Sequence, residues 1–132
     1  MYVVDKATMQ LAEAKADSKG TTFFALMQNA GEQAAEYILN NAKAASQKVL
    51  ILCGKGNNGG DGFVMAGRLA EKHKVTAALV FGQPSTETAR QAFAQMPKDK
   101  VEIIGPEDCI NRIKSEKFDI TVDAVFGTGY NG

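Results

Sequence analysis

Two asparagines and an aspartate stand in a glycine-rich run that directly follows an apolar segment. Asn57, Asn58 and Asp61 lie within residues 54–62, which read Gly-Lys-Gly-Asn-Asn-Gly-Gly-Asp-Gly. Glycines let a backbone turn tightly and approach a ligand closely, while carboxamides and carboxylates bind polar groups or transfer protons. A helix predicted from Gly62 would place this loop at a helix amino terminus, which favours anions. The run therefore predicts a phosphate or nucleotide site.

This run matches neither of two common phosphate-binding loops completely. Gly54 and Gly59 have the spacing of a P-loop, but Gly60 and Asp61 stand where Lys and Ser or Thr are required. Gly54, Gly56 and Gly59 also spell Gly-x-Gly-x-x-Gly, yet no acidic residue follows about 20 positions later to bind a ribose hydroxyl. In addition, Asp61 would repel a pyrophosphate. NTP hydrolysis and ordinary dinucleotide binding are therefore disfavoured.

The composition predicts one globular domain over residues 1–132. Hydrophobic residues make up 45% of the chain, and 15 Lys and Arg balance 15 Asp and Glu. This balance favours neither nucleic acid nor an anionic membrane as a partner. We expect a cytoplasmic protein, because the sequence shows no secretory leader and no apolar run of about 18 residues. Two cysteines do not make a disulfide framework, and both are expected to be buried or incidental thiols.

Hydrophobic periodicity predicts strands alternating with helices. Two helices, at 8–15 and 23–44, precede the first strand. The predicted strands are 48–53, 75–81, 101–104 and 120–126, and helices at 62–72, 86–96 and 107–115 connect them. This alternation is typical of a three-layer αβα, Rossmann-like domain whose mostly parallel sheet has the strand order 3-2-1-4.

In that order the first and fourth strands are neighbours, and ligands bind between their carboxyl ends. Residues 54–61 and 123–132 should therefore meet in one crevice. Asp123 lies in the apolar run 120–126, where a buried carboxylate must be paired, hydrogen-bonded or bound to a cation. The oxygens of Asn58 and Asp123 are hard ligands joined by no His or Cys, so a potassium-like or calcium-like ion fits better than zinc or copper.

Three segments together resemble one family. They are residues 54–62, residues 122–129 (Val-Asp-Ala-Val-Phe-Gly-Thr-Gly) and residues 26–31 (Leu-Met-Gln-Asn-Ala-Gly). The chain is similar over nearly its whole length to NAD(P)HX epimerase, the YjeF N-terminal domain. The resemblance implies a Rossmann-like domain that interconverts the R and S hydrates of NADH and NADPH with one potassium ion per subunit. It also implies an ADP- or ATP-dependent NAD(P)HX dehydratase as a fused or separate partner, and a homodimer.

The resemblance also implies roles for individual residues. Asn58 and Asp123 would ligate potassium. The residues that would line the hydrated nicotinamide nucleotide are Asn57, Asn58, Gly59, Gly60, Asp61, Gly127, Thr128, Gly129, Tyr130, Asn131 and Gly132. Asp61 and Asp123 are the expected catalytic carboxylates, and Asp61 is the candidate proton donor and acceptor. The alternative role for Asp61 is a helix amino-terminal residue that interacts with the helix dipole.

Two departures from the family stand out. Gln28 replaces an acidic residue that is frequent in the helix covering the site, and no Asp-x-Pro-Ser-Gly segment is present to supply a further potassium ligand. A strand at 120–126 would moreover be an unpaired apolar edge, which natural sheets cover or blunt. We therefore expect the 132 residues to be a fragment, incomplete at the carboxyl end.

The sequence is also compatible with two other functions. One is a non-catalytic scaffold or RNA-associated module of the same fold, which the neutral charge disfavours. Another is a dehydrogenase half-domain, which the missing ribose acid disfavours. Lys55 could neutralise a phosphate, but a solvated loop lysine is the expected role. His73, the only histidine, is expected to be a positive group at a charged helix end rather than a catalytic residue.

Overall fold

A parallel sheet lies at the centre of the computed structural model, which describes residues 2–4, 23–42 and 45–125. Within these ranges five strands pair. They are β1 (Tyr2–Val4), β2 (Lys48–Cys53), β3 (Lys74–Leu79), β4 (Val101–Ile104) and β5 (Ile120–Ala124). The helices in the same ranges are α1 (Phe23–Asn41), α2 (Asn57–Leu69), α3 (Glu87–Gln95) and α4 (Pro106–Ser115). The predicted helix at 8–15 lies outside the described residues.

The strand order is β1-β5-β2-β3-β4. The four predicted strands correspond to β2, β3, β4 and β5. They have the expected arrangement, because β2, which is the first predicted strand, lies between β3 and β5. The expected unpaired edge at β5 is wrong, because β1 pairs with β5 in parallel and places Val4 opposite Val122. A three-residue strand carries too little periodicity to be recognised locally, so this pairing could not be predicted from sequence.

In the described ranges, three helices cover one face of the sheet. Alternate strand residues such as Val49, Ile51 and Val122 pack there against α1, α2 and α3. Phe63 of α2 meets Phe93 of α3 edge to face, with ring centroids 5.1 Å apart. This face holds the larger core and fixes the position of α2 over the carboxyl end of β2.

Within the described residues, α4 is the helix on the other face. Leu50, Ala78 and Ile104 form a smaller core there with Cys109 and Phe118. An open groove of about 1010 Å³ lies beside α4 over β2 and β5. The helices on both faces confirm the predicted three layers.

The two cysteines are free and buried. Cys53 belongs to the larger core and Cys109 to the smaller one. Burial raises the pKa of both thiols, which keeps them protonated and unreactive. The prediction of buried thiols is confirmed.

None of the helices in the described ranges combines the length and apolar character that crossing a bilayer requires.

His73 is buried rather than a positive group at a helix end. Its Nδ1 accepts a hydrogen bond from the backbone amide of Gln47 over 3.0 Å, which requires an unprotonated nitrogen. Burial, with a smaller contribution from the charge of Lys72, lowers the pKa of His73. The expected positive charge is therefore wrong.

This pKa predicts how stability depends on pH. Because the unfolded chain binds the proton more tightly than the folded chain, the free energy of unfolding should be highest above about pH 6.5 and should fall as the pH drops below that value. Urea unfolding of wild type and His73→Gln between pH 7.5 and 5.5 checks this, since the variant should lose most of the slope. An equal slope in both proteins would contradict the assignment.

Candidate active site

The carboxyl ends of β2 and β5 lie side by side. In the parallel register Leu52 is opposite Asp123. Beyond the strands, the amide of Gly54 donates to the carbonyl oxygen of Ala124 over 3.0 Å. The carbonyl oxygen of Val125 is so close that a methyl group on Gly54 would collide with it. The glycine-rich run and the end of β5 therefore form one edge of the sheet, as the strand order predicts.

Helix α2 begins earlier than its sequence indicates. Its first residue is Asn57 rather than Gly62, and Gly56 is the N-cap with φ −91° and ψ −164°. Asn58 consequently lies in the first turn and Asp61 in the second. The prediction of a loop through this stretch is wrong, and Asp61 is not at the helix terminus. Asparagine and glycine are poor helix formers, but packing against neighbouring elements outweighs local propensity.

The glycines of α2 allow close packing on several sides. A methyl group on Gly59 would collide with the carbonyl oxygen of Gly54, and one on Gly60 would collide with the sulfur of Met27 in α1. A methyl group on Gly62 would lie 3.0 Å from the sulfur of the last β2 residue. Gly59 is therefore needed for the close packing of α2 on the strand ends, because its clash is with backbone, whereas the contacts of Gly60 and Gly62 are mainly with side-chain atoms.

Asn58 and Asp61 are buried at the start of α2. Asn58 is 7% exposed, and Asp61 has no exposed surface. In the described ranges, Asp61 is the only buried carboxylate. A carboxylate shielded from water interacts strongly with any charge or proton donor placed beside it. The candidate proton-transfer residue is thus deep in the site rather than on a loop.

Asn57, by contrast, is exposed and links two helix starts. Its side-chain oxygen accepts a hydrogen bond from the hydroxyl of Thr86 over 2.7 Å. The same hydroxyl accepts from the amide of Ala89 over 3.1 Å and so caps α3. Thr86 is a site-edge residue that was not predicted, since a threonine at the start of a helix indicates at most an N-cap.

Asp123 lies at the carboxyl end of β5 and is exposed. Its Oδ1 accepts a hydrogen bond from the amide of Val125 over 3.0 Å. The neighbouring Val122 and Ala124 are buried in the larger core, so Asp123 leaves the strand on the opposite face. The expected burial of this carboxylate is wrong, and the alternation of Thr121 and Asp123 with apolar residues is the signal for its exposure.

The structure thus brings together some of the predicted site residues. Asn57, Asn58, Asp61 and Asp123 share one edge, with α2 on one face and the Asp123 side chain on the other. The predicted substrate residues Gly127 through Gly132 lie outside the described residues. No cluster of three or more His, Cys, Asp or Glu that could hold a metal ion occurs in the described part of the chain.

Comparison with known proteins gives the family. A family model described as YjeF-related protein N-terminus matches residues 24–132. A bifunctional NAD(P)H-hydrate repair enzyme Nnr from Moorella thermoacetica is 32% identical over 142 residues, covering 100% of this chain and 27% of that protein. An NAD(P)H-hydrate epimerase from Rhodopirellula baltica is 39% identical over 108 residues, covering 79% of this chain and 43% of that protein.

A solved structure has the same fold. The crystal structure of the yeast protein YNL200c has a TM-score of 0.73 and 27% sequence identity, and the match covers 100% of this chain and 59% of the yeast chain. The chain thus spans about a quarter to just over half the length of these relatives. The family match extends over most of the sequence. The chain therefore belongs to the family of YjeF-related protein N-terminal domains.

Proposed function

We propose that this chain is an epimerase that interconverts the R and S forms of NAD(P)HX, the hydrates of NADH and NADPH, in nicotinamide nucleotide repair. Family membership supports the proposal, as do relatives named NAD(P)H-hydrate epimerase. The observation that carries it is the shared edge, where the buried Asn58 and Asp61 of α2 adjoin the strand end that bears Asp123.

The chemistry requires proton transfer. Inverting a ring carbon that carries a hydroxyl next to nitrogen proceeds by loss and return of water on opposite faces, or by ring opening and closure. Either route needs a proton donor and acceptor. We assign this role to Asp61, because a buried carboxylate exchanges a proton without competition from bulk water. Asp123 is the second carboxylate of the site, at its exposed rim.

Substrate binding is assigned to the residues around these carboxylates. Asn57 through Asp61 would contact the nucleotide from α2, and Gly127 through Gly132 from the segment after β5. A potassium ion is the proposed cofactor, with Asn58 and Asp123 as ligands that would approach it from the two faces of the shared sheet edge, since amide and carboxylate oxygens suit a hard cation. When bound, the ion would supply positive charge that orients substrate hydroxyl and phosphate oxygens.

The chain offers a matched pair of aspartates to test the potassium site. Asp123 is the penultimate residue of β5 and accepts a hydrogen bond from the Val125 amide over 3.0 Å. Asp119 precedes the same strand and accepts from the Lys48 amide over 2.9 Å. Both are exposed. Substitution by Ala therefore removes one comparable side-chain to backbone hydrogen bond in each case.

We expect wild type and Asp119→Ala to convert R-NADPHX faster in potassium than in sodium, and Asp123→Ala to lose this difference together with about 10²-fold in rate. Separation of the epimers by chromatography measures conversion. Potassium-stimulated conversion by Asp123→Ala would show that Asp123 is not a ligand of the ion.

The proposed activity also implies a partner. Two relatives from Moorella thermoacetica and Escherichia coli are named bifunctional NAD(P)H-hydrate repair enzymes. We propose that an ADP- or ATP-dependent dehydratase, fused or separate, consumes the S form that this chain supplies.

A further inference from the structure

The connection after β3 lies against the turn after β2. This β3–α3 loop, residues 80–86, is joined to the turn by its two ends. The amide of Val80 donates to the carbonyl oxygen of Cys53 over 3.1 Å. The amide and hydroxyl of Ser85 both donate to the carbonyl oxygen of Lys55, over 2.8 and 3.1 Å. The loop and the turn therefore form one continuous surface beside the start of α2.

Two basic residues border this surface. Arg90 of α3 reaches back to the loop, where its Nη1 donates to the carbonyl oxygen of Ser85 over 2.8 Å. Lys55 supplies the carbonyl group that Ser85 binds, and both basic side chains are exposed. A guanidinium carries five N–H donors in a planar fork, so the bond to Ser85 orients it and leaves donors for an anion. The first turn of α3 also holds Glu87, which is exposed.

The position of this surface in the sheet indicates what it would bind. In doubly wound sheets that bind dinucleotides, the end of the second strand meets the adenosine ribose, where an acidic residue binds the 2′-hydroxyl or an arginine accommodates a 2′-phosphate. The second strand here is β3. The β3–α3 loop contains no Asp or Glu in its sequence, Val-Phe-Gly-Gln-Pro-Ser-Thr, and Arg90 donates a hydrogen bond to its Ser85 carbonyl oxygen.

We propose that Lys55 and Arg90 form a subsite for the ribose 2′-phosphate, so that the chain acts on NADPHX in preference to NADHX. This inference rests on the proposed epimerase function. The two ends of the substrate then lie at different strand ends, with the hydrated ring beside Asp61 and Asp123 and the phosphorylated ribose beside β3. Lys55 accordingly has a binding role beyond that of a solvated loop residue.

The test compares kcat/KM for the two substrates in wild type, Lys55→Gln and Arg90→Gln. Lys114→Gln is the control, because Lys114 is an exposed cation on α4, on the other face of the sheet. Each charged contact to the phosphate should be worth about tenfold. We expect kcat/KM for NADPHX to fall by about that factor in the two test variants, while the value for NADHX stays within about twofold. The control should resemble wild type.

Failure of the subsite is distinguishable from failure of the function. Equal use of both substrates by wild type, or equal losses on both in the variants, would overturn the subsite while the epimerase activity stands. If the folded wild type acts on neither substrate, the proposed function fails instead. Calorimetric titration with 2′-phospho-ADP-ribose and ADP-ribose then decides the subsite alone: tighter binding of the phosphorylated compound, lost in Arg90→Gln, supports it, and equal binding overturns it.

Discussion

Replacing Asp61 by Asn is expected to lower kcat for NADPHX epimerisation by about 10²- to 10⁴-fold while the chain remains folded. The substitution keeps the size of the side chain and removes its ability to take and return a proton. Loss should therefore appear mainly in kcat rather than in KM, because the carboxamide fills the same volume as the carboxylate it replaces.

The burial of Asp61 is the reason for this expectation. A carboxylate with no exposed surface is costly to desolvate, and buried titratable groups of this kind are concentrated at functional sites. The α1 helix packs directly against this turn of α2, since a methyl group on Gly31 would lie 2.8 Å from the Asp61 carbonyl oxygen. The backbone that carries the carboxylate is thus held between two helices, which suits a group that must be positioned accurately.

A second buried polar residue provides the control. Thr76 in β3 is 5% exposed and lies on the other face of the sheet, where its hydroxyl donates to Glu102 over 3.5 Å. Thr76→Val should alter the free energy of unfolding without lowering kcat. Thermal unfolding and steady-state kinetics of both variants separate the two effects. Activity of Asp61→Asn within about twofold of wild type would assign Asp61 a structural role.

Gly59→Ala is expected to lower the free energy of unfolding by about 3 kcal/mol, or to prevent folding. Alanine normally favours a helix over glycine by about 1 kcal/mol, so local propensity predicts the opposite sign. The collision determines the sign of the change in the free energy of unfolding, because the new methyl group would overlap the Gly54 carbonyl oxygen. Gly54 cannot retreat easily, since its amide donates a hydrogen bond to the Ala124 carbonyl oxygen and the Val125 carbonyl oxygen fills the space where a Gly54 methyl group would lie.

Gly56→Ala is the matched control three residues earlier. No atom lies within 4 Å of a methyl group placed there, and the backbone is extended. We expect a loss below about 1 kcal/mol, which reflects only the weaker N-capping of alanine. Urea unfolding measures both variants. Similar free energies of unfolding for the two variants would contradict the packing role of Gly59. They would also contradict the close packing of α2 on the strand ends.

Much of this architecture could be predicted from the sequence, because it depends on patterns longer than a few residues. The four central strands, their order and the helices between them follow from alternation of apolar runs. The start of α2 could not be predicted, since Asn57 through Gly62 have low helix propensity and are held helical by contacts with Met27 and with the ends of β2 and β5.

For the site, the residue types could be predicted from the sequence, but the burial and the contacts of each side chain could not. Asn58, Asp61 and Asp123 were expected at one edge and lie there, yet the burial of Asp61 and the exposure of Asp123 depend on which face each residue takes. The contact between Asn57 and Thr86 joins residues 29 apart in sequence and has no local signal. The predicted contacts of Gly127 through Gly132, the homodimer and the potassium ion stay predictions.

The most direct test of the epimerase proposal is the approach to equilibrium from both pure epimers. R-NADPHX and S-NADPHX are each incubated with the purified 132-residue chain in potassium buffer, and the epimer ratio is followed by chromatography. An epimerase must bring both samples to the same final ratio far faster than the uncatalysed reaction. If the epimer ratios of the two samples change no faster with the folded chain than without it, the proposed function is contradicted.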